Sequence, residues 1–258
     1  MIPYDFSWKI NTAKMDFLQL YTSYLFARPQ YSQSVTKSGR TYFINRNYSQ
    51  RINKMNGIAN KNNLGQLYGE PSERAVLKQL DHLDKHCQAF IEISPFLVIG
   101  TMGSDGLGDV SPRGDAPGFV KVRDEKTIYL PDRLGNNRTD TLLNIIDNSG
   151  VGLLFLVPGM NETLRVNGNA KIIIDENVLE GLSAQGKAPR SALEISVEEA
   201  YLQCAKALIR SKLWEDDYKI ERKSFPSLGK IISDQIGRGD DENRADKSIQ
   251  EGYKTKLY

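Results

Sequence analysis

The sequence has little of several features that mark common protein classes. Its 258 residues include two cysteines and two histidines, which leaves little for a disulfide framework or a zinc site. Lysines and arginines number 34 against 32 acidic residues, and a net charge of +2 is no nucleic-acid-binding excess. The longest apolar runs, Phe96–Ile99 and Val151–Pro158, are far shorter than the roughly 20 residues that cross a bilayer. We therefore expect a globular cytoplasmic protein that binds neither nucleic acid nor membrane.

The charge is distributed unevenly along the chain. Residues 1–54 contain eight basic and two acidic residues and six of the twelve tyrosines. Three interpretations stay open: an organelle transit peptide, a basic tail for an anionic partner, and an extension outside the fold that precedes a start at Met55. We predict an N-terminal extension over residues 1–54, a folded domain over residues 55–238 and a loose charged tail over residues 239–258.

The apolar pattern predicts a mainly β fold with flanking helices, an α+β class. Short apolar runs between residues 96 and 197, separated by turn sequences such as Gly103–Gly108, predict about six strands in a small antiparallel barrel. Helical spacing of apolar residues predicts three helices, over residues 73–91, 142–146 and 198–210.

The histidines and cysteines carry no predicted site. His82 and His86 stand four apart in the first predicted helix, but no third ligand completes a metal site. Cys87 and Cys204 fall on apolar faces of predicted helices, so we expect both to be unreactive core thiols.

Two segments place arginines at strand junctions. In Ser111–Gly118, Arg113 lies between proline and glycine residues, in either a rigid bend that orients the charge or an ordinary surface turn. Pro131–Arg138 follows a predicted strand and precedes a predicted helix. It combines the guanidinium groups of Arg133 and Arg138 with two asparagine amides and the free backbone N–H groups of a helix start. Each of these donors is a known way to hold phosphate, so we predict a phosphate site here.

A third segment, Glu162–Gly168, reads as a strand. Residues two apart on a strand share a face, so Thr163 and Arg165 point the same way. Alone this is an ordinary exposed strand face. Together with the two arginine segments, it describes a site for a phosphorylated cofactor on a barrel wall.

The ordered set of these motifs resembles the pyridoxamine 5′-phosphate oxidase-like flavoproteins, in particular a bacterial subfamily of FMN-binding members. The resemblance covers roughly residues 60–220 and implies a split antiparallel β-barrel that forms a homodimer, with FMN in two clefts between the subunits. The segments that carry it are Leu80–Asp84, Ser94–Leu97, Ser111–Asp115, Pro131–Arg133, Gly135–Arg138 and Thr163–Gly168.

The resemblance also implies which residues hold the cofactor. Asn136, Asn137 and Arg138 match the phosphate-binding loop, and Arg113 is similar to an earlier arginine on the phosphate. Thr163 and Arg165 match the strand pair that faces the flavin, where Arg165 is expected to stabilise the anionic reduced ring. With Arg133 these form the expected FMN site. Further positions resemble those that close the cleft: Arg190, Lys206 and the Ser211–Trp214 run with Lys212 and Trp214.

The sequence departs from the family in one respect that bears on substrate. Pyridoxamine phosphate oxidases end with an Arg-x-His type signature, and no histidine follows His86 here. Vitamin B6 oxidation is therefore not expected, and no residue stands out as a general base. We expect an FMN-dependent oxidoreductase that acts on a small molecule. The alternatives are a deazaflavin-dependent reductase and a non-catalytic flavin or haem binder.

Overall fold

The computed structural model describes residues 33–37, 40–44, 57–58, 60–237, 242–255 and 257–258. The chain divides into two units, residues 1–70 and residues 71–258. In the first unit, strands β1 (Gln33–Lys37) and β2 (Arg40–Ile44) pair as an antiparallel hairpin, and helix α1 spans Lys61–Tyr68. The rest of the predicted extension over residues 1–54 lies outside the described residues.

The second unit contains one sheet and its flanking helices. The strands are β3 (Phe96–Met102), β4 (Gly108–Gly114), β5 (Lys121–Asp124), β6 (Thr127–Pro131), β7 (Gly150–Leu156), β8 (Thr163–Ile173) and β9 (Ala192–Gln203). The helices are α2 (Glu73–Leu77), α3 (Lys85–Ile93), α4 (Asp140–Asp147), α5 (Glu176–Gly181), α6 (Lys206–Ser211), α7 (Leu228–Ile236) and α8 (Glu242–Thr255).

The sheet has the order β4-β3-β7-β8-β9-β6-β5, and every neighbouring pair is antiparallel. Strands β4 and β5 are its two edges, so the sheet does not close. The register of β8 against β9 shifts between Asn167 and Gly168, which leaves Glu198 of β9 as the extra residue of a β-bulge. This seven-stranded antiparallel sheet with flanking helices confirms the predicted fold class.

Alternation along the strands builds the core. In β7, Val151, Leu153 and Phe155 are buried while the residues between them are half-buried. Helix α3 adds three buried side chains to the same cluster, those of Cys87, Phe90 and Ile91. Each fully buried large apolar side chain contributes about 1.5–3 kcal/mol to folding. This shared core therefore stabilises the packing of α3 against the sheet.

The helix predicted over residues 73–91 is wrong, because the chain breaks it into α2 and α3. Between them, the Leu80 N–H donates to the Ala200 carbonyl at 3.0 Å and the Ala200 N–H donates back at 2.8 Å. Asp84 then starts α3 by accepting hydrogen bonds from the N–H groups of His86 and Cys87. His82 precedes α3 and His86 lies within it, so the two histidines do not share a helix face.

The helix predicted over residues 198–210 is also wrong. Strand β9 continues to Gln203, because its residues from Glu199 onward pair with β8, and only α6 is helical. Cys204 is consequently exposed and not a core thiol. Cys87 is buried as predicted, and burial raises the pKa of its thiol to about 12.

The region predicted as a loose tail contains the 14-residue helix α8. It packs against α7, where the Gly229 N–H donates to the Asp246 carboxylate at 2.9 Å. Among the described residues, no helix has the length and apolar character needed to cross a membrane.

Candidate functional site

A cleft of about 410 Å³ opens where the edge strand β4 faces the loop between β6 and α4. It contains five of the seven residues predicted to bind the cofactor: Arg113, Arg133, Asn136, Asn137 and Arg138. The first of these comes from β4 and the others from the loop that follows β6. The chain therefore brings the two arginine segments together, although 12 residues separate them in sequence.

The loop has a defined backbone shape. Asn137 adopts a left-handed conformation with φ of 59°, which asparagine tolerates better than most residues. The Asn136 side-chain oxygen accepts a hydrogen bond from the Arg138 N–H at 2.9 Å. These two features turn the chain from β6 into α4 and present the loop's exposed side chains along the cleft.

The start of α4 forms another part of the cleft wall. Thr139 makes no side-chain capping hydrogen bond, and residues 139–142 line the cleft. The first N–H groups of a helix have no partner within the helix and carry its positive dipole end. The cleft therefore has backbone donors available for an anion.

Two arginines offer their charge to this space. Arg113 is half-buried, and its Nη1 donates to Ser111 Oγ at 2.5 Å and to the Pro112 carbonyl at 3.0 Å, which fixes its direction. Arg138 is exposed and pairs with Asp140 at 2.9 Å. An exposed pair of this kind is weak, so Arg138 can exchange its partner for a ligand.

Arg133 is held differently. Its Nε donates to Asp115 at 2.6 Å and its Nη1 donates to the Leu182 carbonyl at 2.8 Å. Burial acts to raise the pKa of Asp115, but hydrogen bonds from Tyr258, Ala116 and Arg133 outweigh it and lower that pKa. Arg133 is therefore a charged part of the cleft wall whose charge Asp115 largely balances.

Asp132 brings an acidic group to the same cleft. Burial raises the pKa of its carboxyl group, and the positive charge of Arg113 acts in the opposite direction. The cleft thus contains one carboxyl group that loses its proton less readily than an ordinary aspartate.

Thr163 and Arg165 do not line this cleft. Thr163 is 4% exposed, and its hydroxyl lies 3.4 Å from the side-chain amide of Gln203. Arg165 donates to the Tyr201 hydroxyl at 2.9 Å, with its guanidinium 5.6 Å from the centre of the Tyr201 ring. Within one chain, the structure therefore separates the predicted flavin-facing pair from the predicted phosphate donors.

Of the residues expected to close the cleft, Arg190 lines it and the others do not. Lys212 pairs with Asp217, and the Trp214 indole N–H donates to the Met160 carbonyl at 2.7 Å.

Sequence reasoning missed Asp132, although it belongs to the Pro131–Arg138 segment. It also missed Tyr258, which no motif marks. The described residues contain no group of three or more metal-ligating side chains.

Comparison with known proteins gives the family. Residues 83–204 match the sequence profile of the pyridoxamine 5′-phosphate oxidase family. No curated protein matches the chain in sequence.

Solved structures show similar arrangements at low identity. HupZ of Group A Streptococcus is 18% identical over 46% of this chain and 92% of its own, with a TM-score of 0.39. A candidate pyridoxamine 5′-phosphate oxidase from Lactobacillus delbrueckii is 20% identical over 48% and 98%, with a TM-score of 0.37. A candidate 5-nitroimidazole resistance protein from Bacteroides thetaiotaomicron is 12% identical over 48% and 87%, with a TM-score of 0.34.

These values are too low to transfer a function. The profile match covers strands β3 to β9 completely and includes all seven predicted cofactor residues. The sheet-bearing part of the chain, residues 83–204, therefore matches the pyridoxamine 5′-phosphate oxidase family.

Proposed function

We propose that the cleft binds the phosphate of FMN and that the protein is an FMN-dependent oxidoreductase for a small molecule. One observation carries this proposal: Arg113, the Asn136–Arg138 loop and the uncapped start of α4 meet around one cleft. Charged and backbone donors that line one cleft are an arrangement that can bind phosphate.

The donor chemistry fits a dianion. Four arginines line the cleft together with three aspartates, Asp109, Asp132 and Asp140. Because Asp115 balances Arg133, the charge available for phosphate comes chiefly from Arg113, Arg138 and Arg190. Arg113 is held in place by its own strand, and Arg138 is free to leave its exposed pair with Asp140. A cleft of about 410 Å³ lies within the range of ligand pockets, roughly 300–1,000 Å³.

Bound FMN would supply hydride or electron transfer, as flavins do in other proteins. The chain's own residues would then bind and orient it. Arg113 and Arg138 would neutralise the phosphate, and the α4 N–H groups would fix its oxygens. Arg165 would place a positive charge against the electron-rich ring, where it favours the anionic reduced form.

Arg165 would reach that ring from a second copy of the chain, because it does not line the cleft of its own protomer. Exposed apolar side chains beside the cleft support such a homodimer. Val110 lines the cleft and is 68% exposed, and α4 exposes Leu143 and Ile146. Large exposed apolar groups clustered at one place are typical of interaction surfaces.

The test is cofactor content and affinity. The purified protein should be yellow and release FMN on denaturation, and the apoprotein should bind FMN more tightly than riboflavin, which lacks the phosphate. The double variant Asn136→Ala/Arg138→Ala should weaken FMN binding by at least about 2 kcal/mol, since charge-assisted hydrogen bonds contribute roughly 1.5–3 kcal/mol each. Arg123→Ala, which removes an exposed arginine from the opposite sheet edge, is the matched control.

Other outcomes select the alternatives. No saturable FMN binding would exclude the proposal. Preferential binding of a deazaflavin in competition would indicate a deazaflavin-dependent reductase. FMN binding without steady-state oxidation of NADH or NADPH, with oxygen or a dye as acceptor, would favour a flavin-binding protein without catalysis.

A further inference from the structure

Asp115 is a buried carboxylate with a full set of donors. Its side chain is 4% exposed. Arg133 Nε donates to one oxygen at 2.6 Å, and the other oxygen accepts from the Tyr258 hydroxyl and the Ala116 N–H, each at 2.7 Å. Both oxygens are therefore engaged, and Tyr258 supplies a donor from a position 143 residues away in sequence.

A second contact fixes Tyr258. The Lys187 ammonium group donates to the main-chain oxygen of Tyr258 at 2.9 Å. Lys187 itself lies in a tight turn, where it exchanges backbone hydrogen bonds with Ala184. The Tyr258 hydroxyl is thus bound by Asp115, in the turn after β4. Its main-chain oxygen is bound by Lys187, in the turn between α5 and β9.

Tyr258 also borders the candidate cofactor cleft. It lines a second cavity of about 350 Å³, beside Lys187 and Pro189. This cavity shares four lining residues with the cleft: Asp132, Arg133, Leu134 and Arg190. The contact between Tyr258 and Asp115 therefore adjoins the part of the cleft wall that contains Arg133.

We propose that Tyr258 is a positioning residue of the phosphate cleft, which acts through Asp115 on Arg133. This inference rests on the proposed FMN function. While the Tyr258 hydroxyl occupies one oxygen of Asp115, that carboxylate binds Arg133 through Nε alone. Among the described residues, Arg133 Nη1 binds Leu182 and no hydrogen bond engages Nη2.

Loss of the Tyr258 hydroxyl would change which hydrogen bonds the Asp115 carboxylate forms. One of its oxygens would keep only the Ala116 N–H, and a carboxylate gains most by pairing with a guanidinium through both oxygens. A two-point pairing would turn Arg133 and draw its remaining donors toward Asp115. The phosphate would then lose a donor or part of the local positive charge, while the flavin ring contacts stay unchanged.

The discriminating experiment compares FMN with riboflavin in Tyr258→Phe. We expect FMN affinity to fall about tenfold, the size expected for the loss of one charge-assisted hydrogen bond, and riboflavin affinity to stay within about twofold. Tyr253→Phe, which removes a hydroxyl from an exposed tyrosine on α8, should change neither. Equal weakening of both ligands would show a general structural role and overturn the proposal, as would no weakening at all.

Two further variants test the route through Asp115. In an Asp115→Asn background, Tyr258→Phe should add less than about twofold to the loss of FMN affinity, because residues that act in series are not additive. Full additivity would overturn the proposed route. If Asp115→Asn does not fold, Lys187→Met releases the main chain of Tyr258 without touching Asp115 and should reproduce the selective loss of FMN affinity.

The failure of this inference is distinguishable from the failure of the proposed function. A wild-type protein that binds neither flavin overturns both. A wild-type protein that prefers FMN, with a Tyr258→Phe variant that keeps the same preference, overturns only the role of Tyr258. NMR of ring-labelled tyrosine gives an independent readout, because the hydrogen bond to Asp115 raises the pKa of Tyr258. That pKa should return toward the ordinary tyrosine value in Asp115→Asn.

Discussion

Arg133 and Asp115 form a buried ion pair, with Arg133 Nε 2.6 Å from the Asp115 carboxylate and side chains that are 17% and 4% exposed. The pair joins the loop after β6 to the turn after β4. It therefore holds together the two elements that supply the phosphate donors. The sequence predicts Arg133 as a cofactor-binding residue. In the structure it also forms this ion pair between the two elements.

Removal of Asp115 should destabilise the fold. Asp115→Ala leaves the Arg133 guanidinium partly buried without its counter-ion, and breaking a buried pair in this way costs about 3–5 kcal/mol. We expect a loss of about 3 kcal/mol in the free energy of unfolding, measured by urea denaturation at pH 7. Asp140→Ala, which breaks the exposed pair with Arg138, should cost less than about 1 kcal/mol.

The contribution of Asp115 should also depend on pH. Its pKa is lower in the folded chain than the value of about 3.9 expected when unfolded, so the folded state favours the ionised form. The stabilisation is therefore complete above about pH 4 and is lost as pH falls through the folded-state pKa. The stability difference between wild type and Asp115→Ala should shrink from pH 7 to pH 3. An unchanged difference would indicate lost packing rather than a lost ion pair.

Asp132 should oppose phosphate binding at neutral pH. It shares the cleft with Arg113, and burial raises the pKa of its carboxyl group. Asp132→Asn removes this negative charge, so FMN affinity at pH 7 should rise about fivefold, which corresponds to ~1 kcal/mol of repulsion between partly solvated charges. Glu180→Gln, at an exposed position on α5, is the control for the loss of one acidic group.

The pH dependence separates this effect from a change of shape. As pH falls through the raised pKa of Asp132, the wild-type carboxyl group becomes neutral and the advantage of Asp132→Asn should disappear. The ratio of the two affinities, measured by fluorescence titration from pH 8 down to pH 3, removes the titration of the FMN phosphate itself. A constant ratio over this range would mean that charge is not the cause.

The cleft could be predicted from the sequence because its donors lie in two short segments. Arg113 lies near the end of β4 and the Asn136–Arg138 loop follows β6, and glycine, proline and asparagine mark the turns. Tyr258 could not be predicted, because its partner Asp115 is 143 positions away and no local pattern connects them. Asp132 could have been predicted from the sequence, since it belongs to the same segment as Arg133.

The two wrong helices have one physical cause. The antiparallel bridge between Leu80 and Ala200 ends the first helix early and keeps Ala200 in strand β9. Both segments have helical spacing of apolar residues, and local spacing carries no information about a partner 120 residues away. Pairing with β8 then extends β9 to Gln203 and leaves Cys204 exposed.

The β8 residue opposite the β-bulge, Gly168, should not tolerate a side chain. A Cβ added at Gly168 would overlap the main-chain oxygen of Ser196 on β9. Because that neighbour is backbone in a paired strand, it cannot move without breaking the ladder. We expect Gly168→Ala to lower the free energy of unfolding by about 3 kcal/mol, at the upper end for overpacking. Gly181→Ala has open space around it and should change stability by less than about 1 kcal/mol.

A shared site between two protomers predicts complementation. If the cleft of one protomer meets Arg165 of the partner subunit, then Arg138→Ala and Arg165→Ala damage opposite halves of each site. Each homodimer should bind FMN about tenfold or more weakly than wild type, through the loss of a charge-assisted contact. A mixed dimer of the two variants then contains one doubly damaged site and one intact site.

The mixed dimer is obtained by co-expression with two different tags and sequential purification. Titration should show one FMN per two chains at wild-type affinity, and a second site too weak to measure. If instead Arg138 and Arg165 serve the same protomer's site, every site in the mixed dimer carries one defect and no wild-type affinity appears. The stoichiometry of the tight phase therefore decides between the two arrangements, since loss of affinity in the single variants is expected from both.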